Sequence, residues 1–152
     1  MSDSDDVLDI YRGTPLRFLG YANEIGEAFR SIIGNRMVTA TYGISIAYVL
    51  SDTVSKTRQE LAQQKTRNLK KVLFVATDTL LWQMFASVII PGIAINRICS
   101  FFNNRLNKLP SPVRKWTVAG IGIMAIPIIV APIDNFVDDV LDVTFRKFAP
   151  KN

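Results

Sequence analysis

Two long apolar runs constrain this chain more than any other feature of its sequence. Residues 72–95 are apolar for most of their length, and residues 116–133 contain no charged side chain. An α-helix of about 20 such residues crosses the ~30 Å hydrocarbon core of a bilayer. Neither run alternates with polar positions as a helix on a soluble core does. The sequence therefore predicts a helical membrane protein with at least two spanning segments.

A third segment, residues 37–51, is free of charge but covers only about 22 Å as a helix, so it spans a bilayer only with its polar flanks. Its small residues recur every four positions: Thr39, Gly43, Ala47 and Ser51. Such a stripe allows another backbone to approach closely, as pairs of membrane helices require. We expect this stripe to pack against another helix.

Prolines predict interruptions in the apolar runs. Pro91-Gly92 is expected to break the first run near its end. Pro127 lies in the middle of the second run and removes the hydrogen bond to the carbonyl of Ile123, so a kink is expected there. Past Pro132, Asp134 is positioned to cap a new helix.

Amphipathic helices are predicted at both ends of the chain. In residues 15–33 the larger apolar side chains step by three and four positions, so they share one face, which would lie on a membrane surface or cover a helical bundle. Residues 134–149 form the second amphipathic helix, with acids early and bases late, an order that suits the helix dipole. Residues 1–13 are acidic and predicted to be a disordered tail. The first nine residues, MSDSDDVLD, contain no base, so they lack the basic start of a secretory signal and the arginines of a mitochondrial presequence.

Asp78 is an ionisable residue inside the first apolar run, about 9 Å from the beginning of that run. Three roles remain open: an N-cap of a helix that begins at Thr79, a partner of a base in the connectors that fixes helix packing, or a functional site for a proton, an ion or a partner helix. Gln83 and Ser87 extend a partial polar stripe beside it. We favour the packing role near one face of the membrane.

The two connectors between the membrane segments are basic. Residues 51–71 contain six bases and two acids, and residues 96–115 contain five bases and no acid. If all three segments cross, the connectors lie on opposite sides, and only one can obey the positive-inside rule. Cations beside membrane helices attract anionic lipids such as cardiolipin. The residues predicted to contact these lipids are Lys70, Lys71, Arg97, Arg114 and Lys115. Nucleic acid is not expected as a partner, because the cations flank membrane runs.

Catalytic chemistry is not indicated. The chain has no histidine and one cysteine, Cys99, which excludes zinc sites of the Cys/His type and the common nucleophile–histidine pairs. Phosphate-binding loops, dinucleotide fingerprints and nucleophile elbows are absent from the sequence. We expect no enzyme activity, metal or cofactor. Cys99 is unique and predicted to lie at a membrane boundary, where it would serve as a probe of topology.

Three long stretches resemble one family of proteins. They are GYANEIGEAFR (Gly20 to Arg30), DTLLWQMFASVIIPGIAINRIC (Asp78 to Cys99) and VRKWTVAGIGIMAIPIIVAPID (Val113 to Asp134). In this order they closely resemble the mitochondrial fission process protein family, also called mitochondrial 18 kDa protein. The resemblance implies a multi-pass protein of the mitochondrial inner membrane that promotes division and maintains inner-membrane integrity. It supplies no catalytic residues.

Together these observations predict an all-α fold, an integral membrane helical bundle of one domain (residues 1–152). We expect two to three membrane helices, or at most four, with amphipathic helices at the N- and C-terminal ends. The favoured function is that of a non-enzymatic scaffold or membrane-remodelling factor. Its expected partners are membrane lipids, other copies of the chain and unidentified inner-membrane proteins. The alternative is a subunit of a membrane channel or transporter, or a regulator of inner-membrane permeability.

Overall fold

The computed structural model describes residues 15–64 and 68–150, and this part of the chain is helical without a β-strand. The helices are α1 (Ala22–Ala28), α2 (Arg30–Ile33), α3 (Asn35–Gln63), α4 (Leu69–Gln83), α5 (Ile90–Arg105) and α6 (Ser111–Val143). A π-helical segment, Met84–Ile89, joins α4 to α5, and 3-10 turns cover Pro15–Tyr21 and Phe145–Phe148. The all-α prediction is confirmed. The predicted tail, residues 1–13, lies outside the described residues.

A long helical hairpin is the main element of the fold. Its first arm, Leu69–Arg105, comprises α4, the π-helical segment and α5, and its second arm, Ser111–Phe148, contains α6. The arms have 37 and 38 residues, so each is about 55 Å long if helical throughout, more than a ~30 Å hydrocarbon core. Only 17% of the apolar window of either arm is buried inside the chain. A helix in a soluble core hides most of its apolar side chains, so this exposure supports a membrane environment for both arms.

The apolar runs of the two arms are offset along the hairpin. Asp78 faces Arg146 near the open end, and Cys99 lies against Gly122 nearer the loop. This antiparallel register places the charge-free run of α6 beside about residues 89–106 of the first arm. The two runs therefore share a membrane depth only in part.

The first arm continues through Pro91-Gly92, so the predicted break is wrong. The π-helical segment ends just before this proline. Proline lacks an N–H donor and disturbs the helical hydrogen bonds of the preceding turn. The Val88 carbonyl, in that turn, accepts a hydrogen bond from the Asn23 side chain at 3.0 Å. An outside donor thus contributes to the hydrogen bonding of the turn, and the helix continues.

The second arm likewise runs through its prolines. Pro127 and Pro132 both lie inside α6, and Asp134 does not begin a separate helix as predicted. The fixed φ of proline is close to the helical value, so a helix continues if packing compensates the lost hydrogen bond. Val137 and Leu141 supply such packing past Pro132, because both are buried with Ala86 of the first arm.

The predicted N-terminal helix is divided into the 3-10 turn, α1 and α2, and Gly34 follows with φ +82°, a conformation that favours glycine. The N-terminal segment turns its polar face inward and its apolar face outward, the reverse of a helix that packs on a soluble core. Glu24 and Glu27 are buried, whereas Phe18 and Ile25 are 67% and 38% exposed. Polar side chains inside and apolar side chains outside are expected where lipid is the solvent.

Helix α3 extends beyond the predicted segment 37–51, and its packed face is not the predicted one. Val38, Ser45, Val49 and Asp52 are its buried residues on this face. Thr39, Gly43 and Ala47 are exposed, and a Cβ atom added at Gly43 would meet nothing within 4 Å. Thr39, Gly43 and Ala47 therefore do not pack within the described chain, because α3 meets its neighbours through the face that carries Val38, Ser45 and Val49.

Candidate functional site

Polar side chains form a series of contacts between the helices, and we treat this series as the candidate functional site. Its members are Asn23, Glu24, Glu27, Ser45, Asp52, Asp78, Gln83, Asn96, Asp138 and Arg146. They come from α1, α3, both arms of the hairpin and the C-terminal 3-10 turn. Groups of at least three metal-ligating residues do not occur among the described residues.

Asp78 is bound by an arginine of the C-terminal turn. Arg146 donates from Nε to Oδ1 at 2.8 Å and from Nη2 to Oδ2 at 3.2 Å, a two-pronged contact between the two arms. Its Nη1 also donates to Asp138 at 3.0 Å and to Asp142 at 2.8 Å. The packing role predicted for Asp78 is compatible with this pair, but the partner is not in the basic connectors. A chain separation of 68 residues hid the pair from sequence reasoning.

A polar cavity of about 260 Å³ lies beside this ion pair. Its lining residues are Lys56, Asp78, Thr79, Trp82, Asp138 and Arg146. The cavity joins α3 to both arms of the hairpin and holds charges of both signs. Water or a small polar ligand fits such a space better than an acyl chain does.

A second group of contacts connects α3 to the first arm. The Gln83 side-chain amide donates to Asp52, which also accepts from Lys56 at 2.9 Å. The Ser87 hydroxyl in turn donates to the side-chain oxygen of Gln83, Oε1, at 3.0 Å. Gln83 and Ser87 therefore do form a polar row, but it leads to Asp52 and not to Asp78. Because these groups satisfy one another, the row holds two helices together at low cost in desolvation.

Asn23 connects α1 to two neighbours. Its backbone N–H donates to Ser45 Oγ at 3.0 Å, and Ser45 donates back to its side-chain oxygen at 2.9 Å. Its amide nitrogen reaches the Val88 carbonyl. A fully buried asparagine with these contacts fixes the position of α1 against both α3 and the π-helical segment.

Glu27 and Glu24 lie one turn apart on α1 and have opposite environments. Glu27 accepts hydrogen bonds from Arg30, Tyr42 and Asn96 at 2.7 to 2.9 Å. Burial raises the pKa of Glu27, but the hydrogen bonds from Arg30, Asn96 and Tyr42 outweigh it, so the pKa lies below its ordinary value.

Glu24 has no such partner. Its side chain is 0% exposed, and neither carboxyl oxygen has a hydrogen-bond partner. Burial, and secondarily the charge of Asp134, raises the pKa of Glu24 from 4.5 to about 8. The sequence analysis missed this residue, because the pattern of α1 shows which residues share a face but not that its polar face points inward.

The cations predicted to contact lipids differ in exposure. Lys70 and Arg97 are exposed, whereas Lys71, Arg114 and Lys115 are half-buried. Lys71 also pairs with Glu60 at 3.3 Å. Lys70 and Arg97 are consequently the two that have side chains most available to a lipid headgroup, and lipid contact stays a prediction for all five.

Two apolar cavities open on the surface of the bundle. One, of about 680 Å³, is lined by both arms, including Phe85, Ile89, Phe136 and Phe145. The other, of about 500 Å³, lies between the N-terminal turn and α6 and includes Pro127 in its lining. Pro127 thus faces a cavity within a continuous helix. In a bilayer, apolar concavities of this kind are filled by lipid chains or by another apolar surface.

Cys99 is buried between α5 and α6, and its Sγ lies 3.9 Å from the Val118 carbonyl oxygen. The expectation that Cys99 serves as a topology probe is therefore wrong, whereas its position at a membrane boundary stays a prediction. Close packing of the hairpin covers the thiol: a Cβ added at Gly122 would lie 2.8 Å from Cys99 Sγ and 2.8 Å from the Ala28 Cβ.

Comparison with known proteins finds relatives that match most of the chain. The family model described as Mitochondrial 18 kDa protein matches residues 10–64 and 53–141. Mitochondrial fission process protein 1 of Caenorhabditis elegans is 51% identical, over 91% of this chain and 87% of the relative. The protein of the same name in Homo sapiens is 42% identical, over 93% and 89%.

A more distant relative is an uncharacterised protein of Acanthamoeba polyphaga mimivirus, 30% identical over 86% of this chain and 74% of its own length. No solved structure matches the chain. The family match covers the N-terminal helices and both arms of the hairpin, so the resemblance drawn from three stretches of sequence is confirmed. The chain belongs to the mitochondrial 18 kDa protein family, and its relatives in Caenorhabditis elegans and Homo sapiens bear the name mitochondrial fission process protein 1.

Proposed function

We propose that this chain promotes mitochondrial division as a non-enzymatic, multi-pass protein of the mitochondrial inner membrane, where it acts as a scaffold or membrane-remodelling factor and maintains membrane integrity. The observation that supports the process is the similarity to relatives named for mitochondrial fission over about nine-tenths of the chain.

The inside-out arrangement of the bundle supports the membrane-remodelling mechanism. The hairpin anchors the chain, and α1 with the preceding turn is held against it by Asn23. Phe18 and Ile25 then point outward as an apolar face beside the hairpin. Apolar side chains that enter one leaflet displace its lipids and favour curvature.

Anionic lipids are the partner that the surface charge favours. Lys70 and Arg97 are exposed near different parts of the first arm. A cation at a membrane surface attracts anionic lipid by about 1 kcal/mol. We propose that cardiolipin or another anionic lipid concentrates the chain at particular regions of the inner membrane.

The test is replacement of the human relative by this chain in cultured cells. Loss of the relative is expected to give hyperfused mitochondria with normal membrane potential, and expression of the chain is expected to restore length and branching. Immunoblots of mitoplasts and outer-membrane fractions check the location. Lost potential with an unchanged network, or failure of a correctly located chain to restore division, would contradict the proposal.

A pore is the second candidate function, because polar residues between the helices could line it. Asp52, Gln83 and Ser87 bond to one another, which favours packing over a row of solvated groups. In vesicles that contain cardiolipin, we therefore expect altered vesicle shape without solute or ion flux. Flux that an Asp78→Asn variant abolishes would support the pore and contradict the scaffold.

A further inference from the structure

Glu24 is a buried acid with no function in the contacts described so far. Its side chain is fully buried between helices, both of its oxygens lack a hydrogen-bond donor, and the neighbouring acid is Asp134. An ionised carboxylate in this position would be unpaired and close to a like charge, which is among the most unfavourable arrangements in a protein interior. A bound proton removes the problem, because it neutralises one acid and supplies a donor.

We propose that Glu24 and Asp134 form a proton-binding site inside the helical bundle, and that its proton exchanges with water along the acidic face of α6. This inference concerns a ligand, the hydrogen ion, and stands apart from the proposed role in division. It would hold for a scaffold or for a pore.

The route is visible in the spacing and exposure of three acids. Asp134, Asp138 and Asp142 recur every four residues of α6, so they lie on one face of the helix. Asp142 is 61% exposed, Asp138 is 45% exposed and borders the polar cavity, and Asp134 is half-buried. Exposure thus falls step by step from the surface to Glu24. Because Asp138 and Asp142 accept hydrogen bonds from Arg146, the proton passes along this face through water in the adjoining polar cavity.

The other ionisable groups near α1 in the described chain donate no hydrogen bond to Glu24. They are Tyr42 of α3, Cys99 of α5, Glu27 of α1 itself, Arg30 of α2 and Tyr21 of the 3-10 turn. Tyr42 and Arg30 both bond to Glu27, and Cys99 interacts electrostatically with Glu27. Among the described residues, Asp134 is the charged group that acts on Glu24. A proton is therefore the ligand that this acid pair favours over a metal ion, for which the described residues form no site.

Loss of the proton has a structural consequence. Glu24 would then hold a buried negative charge that the charge of Asp134 on α6 repels. We expect α1 to pack less tightly on the hairpin when the site is empty, so the exposure of its apolar face to the bilayer depends on proton occupancy.

Infrared spectroscopy of the full chain in nanodiscs of phosphatidylcholine and cardiolipin tests the site, because a protonated carboxyl group has a carbonyl band of its own. At pH 7 we expect this band in the wild type, its loss in Glu24→Gln, and its retention in the matched control Asp139→Asn on the exposed side of α6. In Asp134→Asn the band should persist but disappear at lower pH than in the wild type, because the repelling neighbour is gone.

Three outcomes would overturn the proposal. The first is a wild-type spectrum without a protonated carboxyl at pH 7, and the second is a band that survives in a folded Glu24→Gln variant. The third is a band that vanishes when sodium chloride replaces choline chloride at constant pH, which would identify a cation site. If Glu24→Gln does not fold, the test is the pH at which the band disappears in Asp134→Asn. The same pH as in the wild type would contradict the proposed acid pair.

Discussion

Arg146 joins the two ends of the hairpin by donating two parallel hydrogen bonds to Asp78, at 2.8 and 3.2 Å. The same guanidinium also binds Asp138 and Asp142, so three acids share one cation. Planar, two-pronged contacts of this kind are frequent between arginine and carboxylate and are stronger than hydrogen bonds between neutral groups. The C-terminal turn is thus held against the start of the first arm by charge as well as by the stacked rings of Phe74 and Phe145.

Removal of this cation is expected to destabilise the hairpin. Arg146→Ala leaves the three acids without their shared partner, and we expect a loss of about 1–3 kcal/mol in unfolding free energy, between the values for exposed and buried ion pairs. Arg146→Lys should restore part of it, since lysine keeps the charge but not the fork. Denaturant unfolding in detergent micelles measures both. The exposed neighbour supplies the control: if Lys147→Ala destabilises the protein as much as Arg146→Ala, the ion pair is not the cause.

Close packing of α6 against α1 and α5 predicts opposite effects at two glycines. At Gly122 a new Cβ would lie 2.8 Å from both Ala28 Cβ and Cys99 Sγ, so Gly122→Ala should cost about 1–3 kcal/mol as an overpacked contact. At Gly120 nothing lies within 4 Å. Gly120→Ala should therefore be neutral or stabilise by about 0.5–1 kcal/mol, because alanine is the better helix former.

Thermal unfolding of the two glycine variants in the same micelles gives the comparison. The substitutions are identical and two residues apart, so effects on synthesis or micelle binding should be shared. Equal melting temperatures for Gly120→Ala and Gly122→Ala would show that the bundle does not pack as described.

The sequence was sufficient for the elements that depend on local pattern. Residues 116–133 lack charge, and they do form part of one long helix. The orientation of α1 was not accessible, because a 3.6-residue pattern defines two faces, and whether the polar one turns inward depends on the solvent. In this fold it turns inward, which buries Glu24. The pairing of Asp78 with Arg146 was equally hidden, since contacts between distant residues leave no periodic signal.

The environment of Glu24 also predicts how stability depends on pH. Its pKa in the folded protein is about 8, against an ordinary value of 4.5. The folded state therefore keeps a proton that the unfolded chain releases between these values. The stabilisation is complete below pH 4.5, is lost as pH rises towards 8, and changes no further above it. One group contributes a slope of at most about 1.4 kcal/mol per pH unit.

Unfolding of the purified protein at pH 5, 6, 7 and 8 in one detergent measures this slope. Glu24→Gln should flatten it and leave the variant more stable than the wild type near pH 8, where the wild type begins to hold an unpaired charge. Asp139→Asn, an exposed acid of α6, should keep the wild-type slope. A slope unaltered in Glu24→Gln would assign the pH dependence to other groups.

Topology can be tested with single cysteines in place of Cys99, whose burial between α5 and α6 should make it unreactive until the protein unfolds. In a Cys99→Ala background, Lys70→Cys places a thiol at the open end of the hairpin and Lys108→Cys places one in the loop between α5 and α6. If the hairpin crosses the membrane twice, a maleimide that cannot enter vesicles should label only one of these thiols from outside in oriented mitoplasts, and the other after permeabilisation. Labelling of both thiols from the same side would mean that the arms do not cross the membrane completely. The offset of their apolar runs along the hairpin would then be the reason.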